Sequence, residues 1–202
     1  MDQYTTHHIT IRDLVAHRSG IARHDMLWFN SEFTRSDVIK SLQYLEPACK
    51  LREKFQYNNL MYTVAGILIE KVTGQTWEEA LSARIFTPLA MLNSNDSENK
   101  SKQSEDFSMP YAEVAGAIKA IPFRNIHSVA PAGAINSSVS DMLKWVQLQL
   151  SDGTILDQHF IRKETLQEMH TIQMPMTAST PDEEVYHFGY GLGWCTGIYR
   201  GH

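Results

Sequence analysis

"FQYNNLMYTVAGILIEKVTGQTWEEALSARIFTPL", residues 55–89, decides the fold. Leu60, Val64, Ile67, Leu68 and Val72 recur at helical spacing on one broad face, and Gly74 stands where a helix can stop in the left-handed conformation. Thr76, with Glu79 three residues on, forms a capping box for a second helix, which Pro88 ends. The spacing therefore predicts two consecutive helices, the first deeply buried. Tyr57, Asn58 and Asn59 lead into it. One reading is a turn in which Asn58 or Asn59 caps the helix while the Tyr57 ring packs. The other is chemical: the turn presents the phenol to a cleft, where nearby positive charge lowers its ordinary pKa of about 10 towards proton transfer, and Asn59 offers an amide to a substrate carbonyl. A lone Tyr-x-Asn does not choose between them.

Upstream, "ITIRDLVAHRSGI" has Thr10 as a cap, Leu14 and Val15 pointing inward, and Gly20 as a left-handed stop, which predicts a short helix and a turn. "RSDVIKSLQYL" predicts another helix, closed by Pro47. Downstream, residues 93–108, "NSNDSENKSKQSEDFS", carry almost no apolar side chains and predict an exposed, flexible polar loop. "YAEVAGAIKAIPF" partly alternates and predicts a short strand pair. "SSVSDMLKWVQLQLSDG" returns to helical spacing through Met142, Leu143, Val146 and Leu150, with a Ser cap and Gly153 as stop. "HFIRKETLQEMHT" predicts one more helix. The aromatic, glycine-rich "VYHFGYGLGWCTGIYRGH" predicts a twisted strand or hairpin beginning a sheet. No internal repeat is visible.

Composition narrows the function classes. The chain has 202 residues, 43% of them apolar, enough to bury a sizeable core. Its formal charge is -5 and its Lys and Arg residues are not clustered, which argues against a nucleic-acid partner. No apolar run reaches the roughly 18 residues of a membrane span, and "MDQYTTHHIT" lacks the basic-then-apolar pattern of a secretory signal. Cys49 and Cys195 stand in no ligand or CxxC pattern and read as free thiols, so no disulfide framework underlies the fold.

Other reactive patterns are weak. With 16 Ser and 9 Lys, about one Ser-x-x-Lys is expected by chance, and Ser97 to Lys100 is the one present. A serine nucleophile activated by lysine needs a desolvated amine in a cleft, which a polar loop does not give. His187 to Gly189 also matches at the chance level. His17 reads as a packing or hydrogen-bonding residue. Arg23, His24 and Asp25 form either the polar rim of a cleft or a solvated turn, and both readings stay open. His7, His8, His17 and His24 do not make a zinc signature.

Four ordered blocks carry more information than any triplet. "ITIRDLVAHRSGI", then Tyr-x-Asn on its helix, then "APAGAINSSVSDMLKWV", then "YGLGW" resemble the serine β-lactamase-related family of class C β-lactamases, low-molecular-weight penicillin-binding proteins (DD-peptidases) and esterases. The resemblance spans nearly the whole chain apart from the polar loop. It implies an α/β parent with an antiparallel sheet flanked by helices, of which this chain, mostly α with a few short strands, is an incomplete domain over residues 1–202. It places Tyr57 on the family's catalytic tyrosine, as proton shuttle, and Asn59 on the motif asparagine that positions substrate and lysine. Gly133, Asp141 and Trp145 fall on positions expected to be structural. The family's nucleophilic Ser-x-x-Lys lies upstream of the first block and its His-x-Gly or Lys-Thr-Gly motif downstream of "YGLGW". The chain alone is therefore expected to be inactive, within a parent that hydrolyses β-lactam, peptide or amide, or ester carbonyls through an acyl-enzyme. The resemblance implies a small-molecule or peptidoglycan-like substrate, no cofactor, and a periplasmic or extracellular parent. The alternative is a non-catalytic pseudoenzyme or binding module that uses the same cleft.

Overall fold

The computed structural model describes residues 2–29, 31–179 and 184–202. Helices α1 (Gln3–His8) and α2 (Ile11–Val15) open the chain, and Thr10 and Asp13 close a reciprocal capping box on α2. A 3-10 turn at Asp25–Leu27 follows, then α3 (Arg35–Ser41), capped by Thr34 and Asp37 and extended by the 3-10 turn Leu42–Tyr44. Helix α4 (Asn59–Thr73) begins at the Asn58 cap and ends at Gly74, whose φ of 70° is the expected left-handed stop.

Helix α4 is the centre of the helical region. Leu60 and Met61 bury against Leu14 of α2, Val38 of α3 and Val129. Gly66 lies where Pro131 of α7 (Ala130–Gly133) crosses, and a Cβ there would meet the Pro131 ring at 2.3 Å. Of the apolar stripe read from the sequence, Leu60 is buried and Val64 and Leu68 pack against this core, but Val72 is exposed, and Met61, Thr63 and Gly66 are buried beside Leu60.

Helix α5 (Trp77–Leu81) carries the predicted Thr76–Glu79 box. It then widens into a π turn over Ser82–Phe86, with Thr87 N–H donating to Ser82 O at 2.9 Å. That turn delivers Phe86 to a second core with Leu89, Met91 and Leu148. The polar segment differs from the uniformly exposed loop expected. Asn95 and Asn136 exchange backbone hydrogen bonds at 2.9 Å, Asp96 and Ser101 are buried, and residues Glu98–Ser101 form one helical turn, α6.

The predicted strand pair is present as β1 (Tyr111–Val114) and β2 (Ala117–Ala120), antiparallel and projecting into solvent. Helix α8 (Val139–Leu150) starts at its Ser138 cap, but its buried face is Asp141 and Leu148, with Trp145 partly packed beside them. The predicted inward residues instead face solvent, Leu143 being 62% and Leu150 81% exposed. Asp141 sets this orientation by accepting from Asn93 N–H, the Ser94 hydroxyl and Lys144. A small hairpin, β3 (Thr154–Ile155) with β4 (Gln158–His159), turns at Leu156 and Asp157, both at positive φ. Leu156 gives no turn signal, so sequence reading passes over this hairpin.

Helix α9 (Lys163–His170) precedes an antiparallel sheet in the order β5 (Met174–Ser179), β6 (Val185–Tyr190), β7 (Cys195–Tyr199). The C-terminal hairpin is thus as expected, and Cys195 is exposed in it. The sheet is tied to the helices by Arg18, which donates to Gln173 O at 2.7 Å and pairs with the fully buried Asp13. Among the described residues, no helix is long and apolar enough to cross a membrane.

Candidate active site

The end of α2 sets the geometry around Tyr57. The helix does not run on to the expected stop at Gly20. It ends at Val15, and His17 itself takes the left-handed conformation, with φ 53°. Gly20 serves a different purpose: its carbonyl accepts from Ala48 and Cys49 N–H, and a Cβ there would sit 2.4 Å from Cys49 O. Buried Asp13 holds the α2 end in place through Arg18 and Arg52. Burial alone would raise the Asp13 pKa, but hydrogen bonds from Arg52, Thr10 and Arg18 outweigh it and keep the carboxyl well below the usual range.

The turn at residues 56–59 is built onto this support. His17 O accepts from Gln56 N–H at 2.7 Å, and His17 Nδ1 accepts from Asn58 N–H at 3.0 Å. Asn58, 0% exposed, uses its whole amide: Nδ2 donates to Ile21 O and Ala22 O, and Oδ1 accepts from Leu60 N–H to cap α4. Asn58 is therefore the cap, which leaves Tyr57 and Asn59 free of that duty.

Tyr57 is 39% exposed and leans on the His17 ring, centroids 4.4 Å apart at 38°. The Arg23 guanidinium stands 5.1 Å from the Tyr57 centroid. Arg23 pairs with Asp25 at 2.6 Å, and Asp25 accepts from the Asn59 side-chain amide at 3.4 Å. Arg23 and Asp25, left open by the sequence, thus belong to the rim that joins Tyr57 to Asn59. His24 takes a left-handed φ of 46° and supplies the turn. Beneath the rim, His17 is 1% exposed and ringed by Phe55, Tyr57, Tyr62 and Tyr190. Burial, with Arg23 adding to it, lowers the His17 pKa to about 4, so the ring is neutral at ordinary pH. Burial also pushes the Tyr62 phenol up, and its hydroxyl donates to Val15 O at 2.7 Å. Tyr190 comes from the "YGLGW" block and packs the sheet against this cage.

The remaining sequence candidates lie elsewhere. Ser97 caps α6, and the Lys100 amine is bound to Asp96 at 2.6 Å. His187 and Gly189 are in β6, where a Cβ on Gly189 would meet Ile172 within 2.9 Å. Asp141 is structural, as described above. At Gly133 an added Cβ would meet nothing closer than Ile126 at 3.8 Å, so packing does not require glycine there. Among the described residues no group of three His, Cys, Asp or Glu side chains is placed to hold a metal. A cavity of about 980 Å³ lies at the other end of α4, lined by Arg35, Glu70, Glu78 and Phe123, and Tyr57 does not contribute to it.

A buried helix led by an exposed Tyr-x-Asn turn, beside an antiparallel sheet, places the chain in the β-lactamase/transpeptidase-like fold. The chain belongs to the Beta-lactamase family, whose sequence model matches residues 1–202. It is similar to the unguisins hydrolase ungD' of Aspergillus campestris, 26% identical over 98% of this chain and 38% of that protein. The unguisins hydrolase ungD of Aspergillus violaceofuscus is 32% identical over 68% of this chain and 26% of its own length. In structure the chain is similar to an octameric penicillin-binding protein homologue from Pyrococcus abyssi, with a TM-score of 0.76 and 25% identity, over 93% of this chain and 43% of that one. The chain spans less than half the length of each of these relatives.

Proposed function

We propose that these residues form the tyrosine side of the active-site cleft of a serine acyl-hydrolase. Tyr57 is the proton shuttle and Asn59 positions the substrate carbonyl and the lysine partner. The observation that carries this reading is the Tyr57 ring, exposed at the rim and held between the His17 ring and the Arg23 guanidinium, with Asn59 reached through Asp25. A tyrosine that merely packed at a helix start would not need these four neighbours, since Asn58 already caps α4.

On this reading, a serine nucleophile and its lysine are supplied by a longer polypeptide of the length its relatives have. The serine attacks a carbonyl, the proton passes through lysine and Tyr57 to the leaving group, and water releases the acyl group by the reverse path. Family membership and the two hydrolase relatives favour amides, β-lactams or esters as substrates. The test is hydrolysis of one substrate of each kind by the polypeptide carrying this segment. Loss of turnover in Tyr57→Phe and a raised KM in Asn59→Ala support the reading. Parental constants in both variants reject it.

A further inference from the structure

Tyr57 is bracketed by one residue. The N–H of the residue before Tyr57, Gln56, donates to the His17 carbonyl, and the N–H of the residue after it, Asn58, donates to the His17 ring. The same ring lies under the phenol at 4.4 Å, while Phe55, Tyr62 and Tyr190 close its other sides. Since Nδ1 accepts, the neutral ring carries its proton on Nε2. His17 takes a left-handed backbone, φ 53°, and its ring lies against the turn, where Nδ1 meets the Asn58 N–H. A space-filling role alone would be met by an apolar side chain. The buried Asn58 N–H would then be stranded, so this place demands an acceptor as well as a ring.

We propose that His17 is the positioning residue for Tyr57: its imidazole accepts the Asn58 N–H, carries the phenol ring on its face, and thereby fixes Tyr57 beside Arg23 and Asn59. This rests on the reading of Tyr57 as proton shuttle. His17 touches neither substrate nor reacting atoms, so its effect runs through Tyr57. The groups that face it are the Arg23 cation and the phenols of Tyr57, Tyr62 and Tyr190.

The test compares the unmodified chain with His17→Asn and His17→Gly. Asn tolerates positive φ and places an acceptor oxygen near the Nδ1 position, whereas Gly tolerates the backbone and has no acceptor. In the unmodified chain, nitrogen NMR of labelled histidine should show His17 protonated at Nε2 and bare at Nδ1. In His17→Gly, Asn58 amide exchange should rise about tenfold or more and the Tyr57 ring signals should lose their ring-current shift, while His17→Asn restores Asn58 protection. In the parent hydrolase, kcat should fall about tenfold in His17→Gly with little change in KM, and recover in His17→Asn. An Nδ1–H tautomer, or an Asn58 amide and Tyr57 ring unmoved in His17→Gly, overturns the proposal. Should His17→Gly not fold, the tautomer in the unmodified chain still decides. If the NMR signatures hold while Tyr57→Phe keeps full turnover, the positioning stands and the shuttle reading falls.

Discussion

His17 Nδ1 lies 3.0 Å from the backbone nitrogen of Asn58, a side-chain bond that helps join the end of α2 to the start of α4. It forms only with a neutral ring, because an imidazolium has no acceptor. The link between the two most informative sequence blocks is thus a titratable one.

Stability should follow the His17 ring between pH 6.5 and 4. Its pKa is about 4 when folded against an ordinary 6.5, so the unfolded chain binds a proton first as pH falls. The contribution is complete above pH 6.5 and is lost towards pH 4, on the order of 3 kcal/mol at the most. Asp13 acts lower: its depressed pKa gives stability that is present above the ordinary carboxylate range and lost below it. Urea unfolding at pH 7 and pH 4.5 checks this, with His17→Asn expected to flatten the difference. An equal slope in both chains contradicts it.

Asn58→Ala should be far more damaging than Asn59→Ala. The first removes the α4 cap, worth about 1 kcal/mol, and takes the partner from the half-buried Ile21 and Ala22 carbonyls, at a further cost of about 1 kcal/mol. Among the described residues the Asn59 side chain has only its long bond to Asp25 to lose. Thermal unfolding of the two variants side by side separates the residues, and equal midpoints would mean the cap is misassigned.

Limited proteolysis should cut first within residues 102–109. Every one of them is exposed, whereas residues 95–101 are held by the Asn95–Asn136 pair and by buried Asp96 and Ser101. Mass spectrometry of the first fragments locates the cut. Earlier cleavage inside α4 would overturn the assignment of α4 as the most protected element.

Ser97 should not react with a fluorophosphonate. Its Lys100 partner is committed to Asp96 at 2.6 Å and lies largely in solvent, not in the desolvated cleft a lysine base needs. Stoichiometric labelling at Ser97 would reverse that reading.

What the sequence disclosed follows from where its signals are local. The α4 stop at Gly74, the Thr76–Glu79 box and the β1–β2 pair are written in neighbouring residues and are present as read. The buried face of α8 was not legible, because Asp141 turns the helix through contacts with Asn93 and Ser94, 47 and more residues away. The same holds at the candidate site. Tyr57 and Asn59 stood out by spacing, but His17 read as ordinary packing, since its acceptor role needs Asn58, 41 residues on. The sign that could have pointed to it was the closeness of His17 to Gly20 in a turn block that pairs with the Tyr-x-Asn block. Arg23 and Asp25 gained their meaning only once α4 was folded beside them.

The central claim, that the Tyr57 hydroxyl moves the proton, is tested most directly by the kcat of Tyr57→Phe in the polypeptide carrying this segment. The ring and its contact with His17 remain, and only the hydroxyl is removed. Turnover should fall by about 10² to 10⁴, the usual scale for a general acid or base, while the thermal midpoint hardly moves. Turnover of amide, β-lactam and ester substrates at near-parental rates would contradict the account.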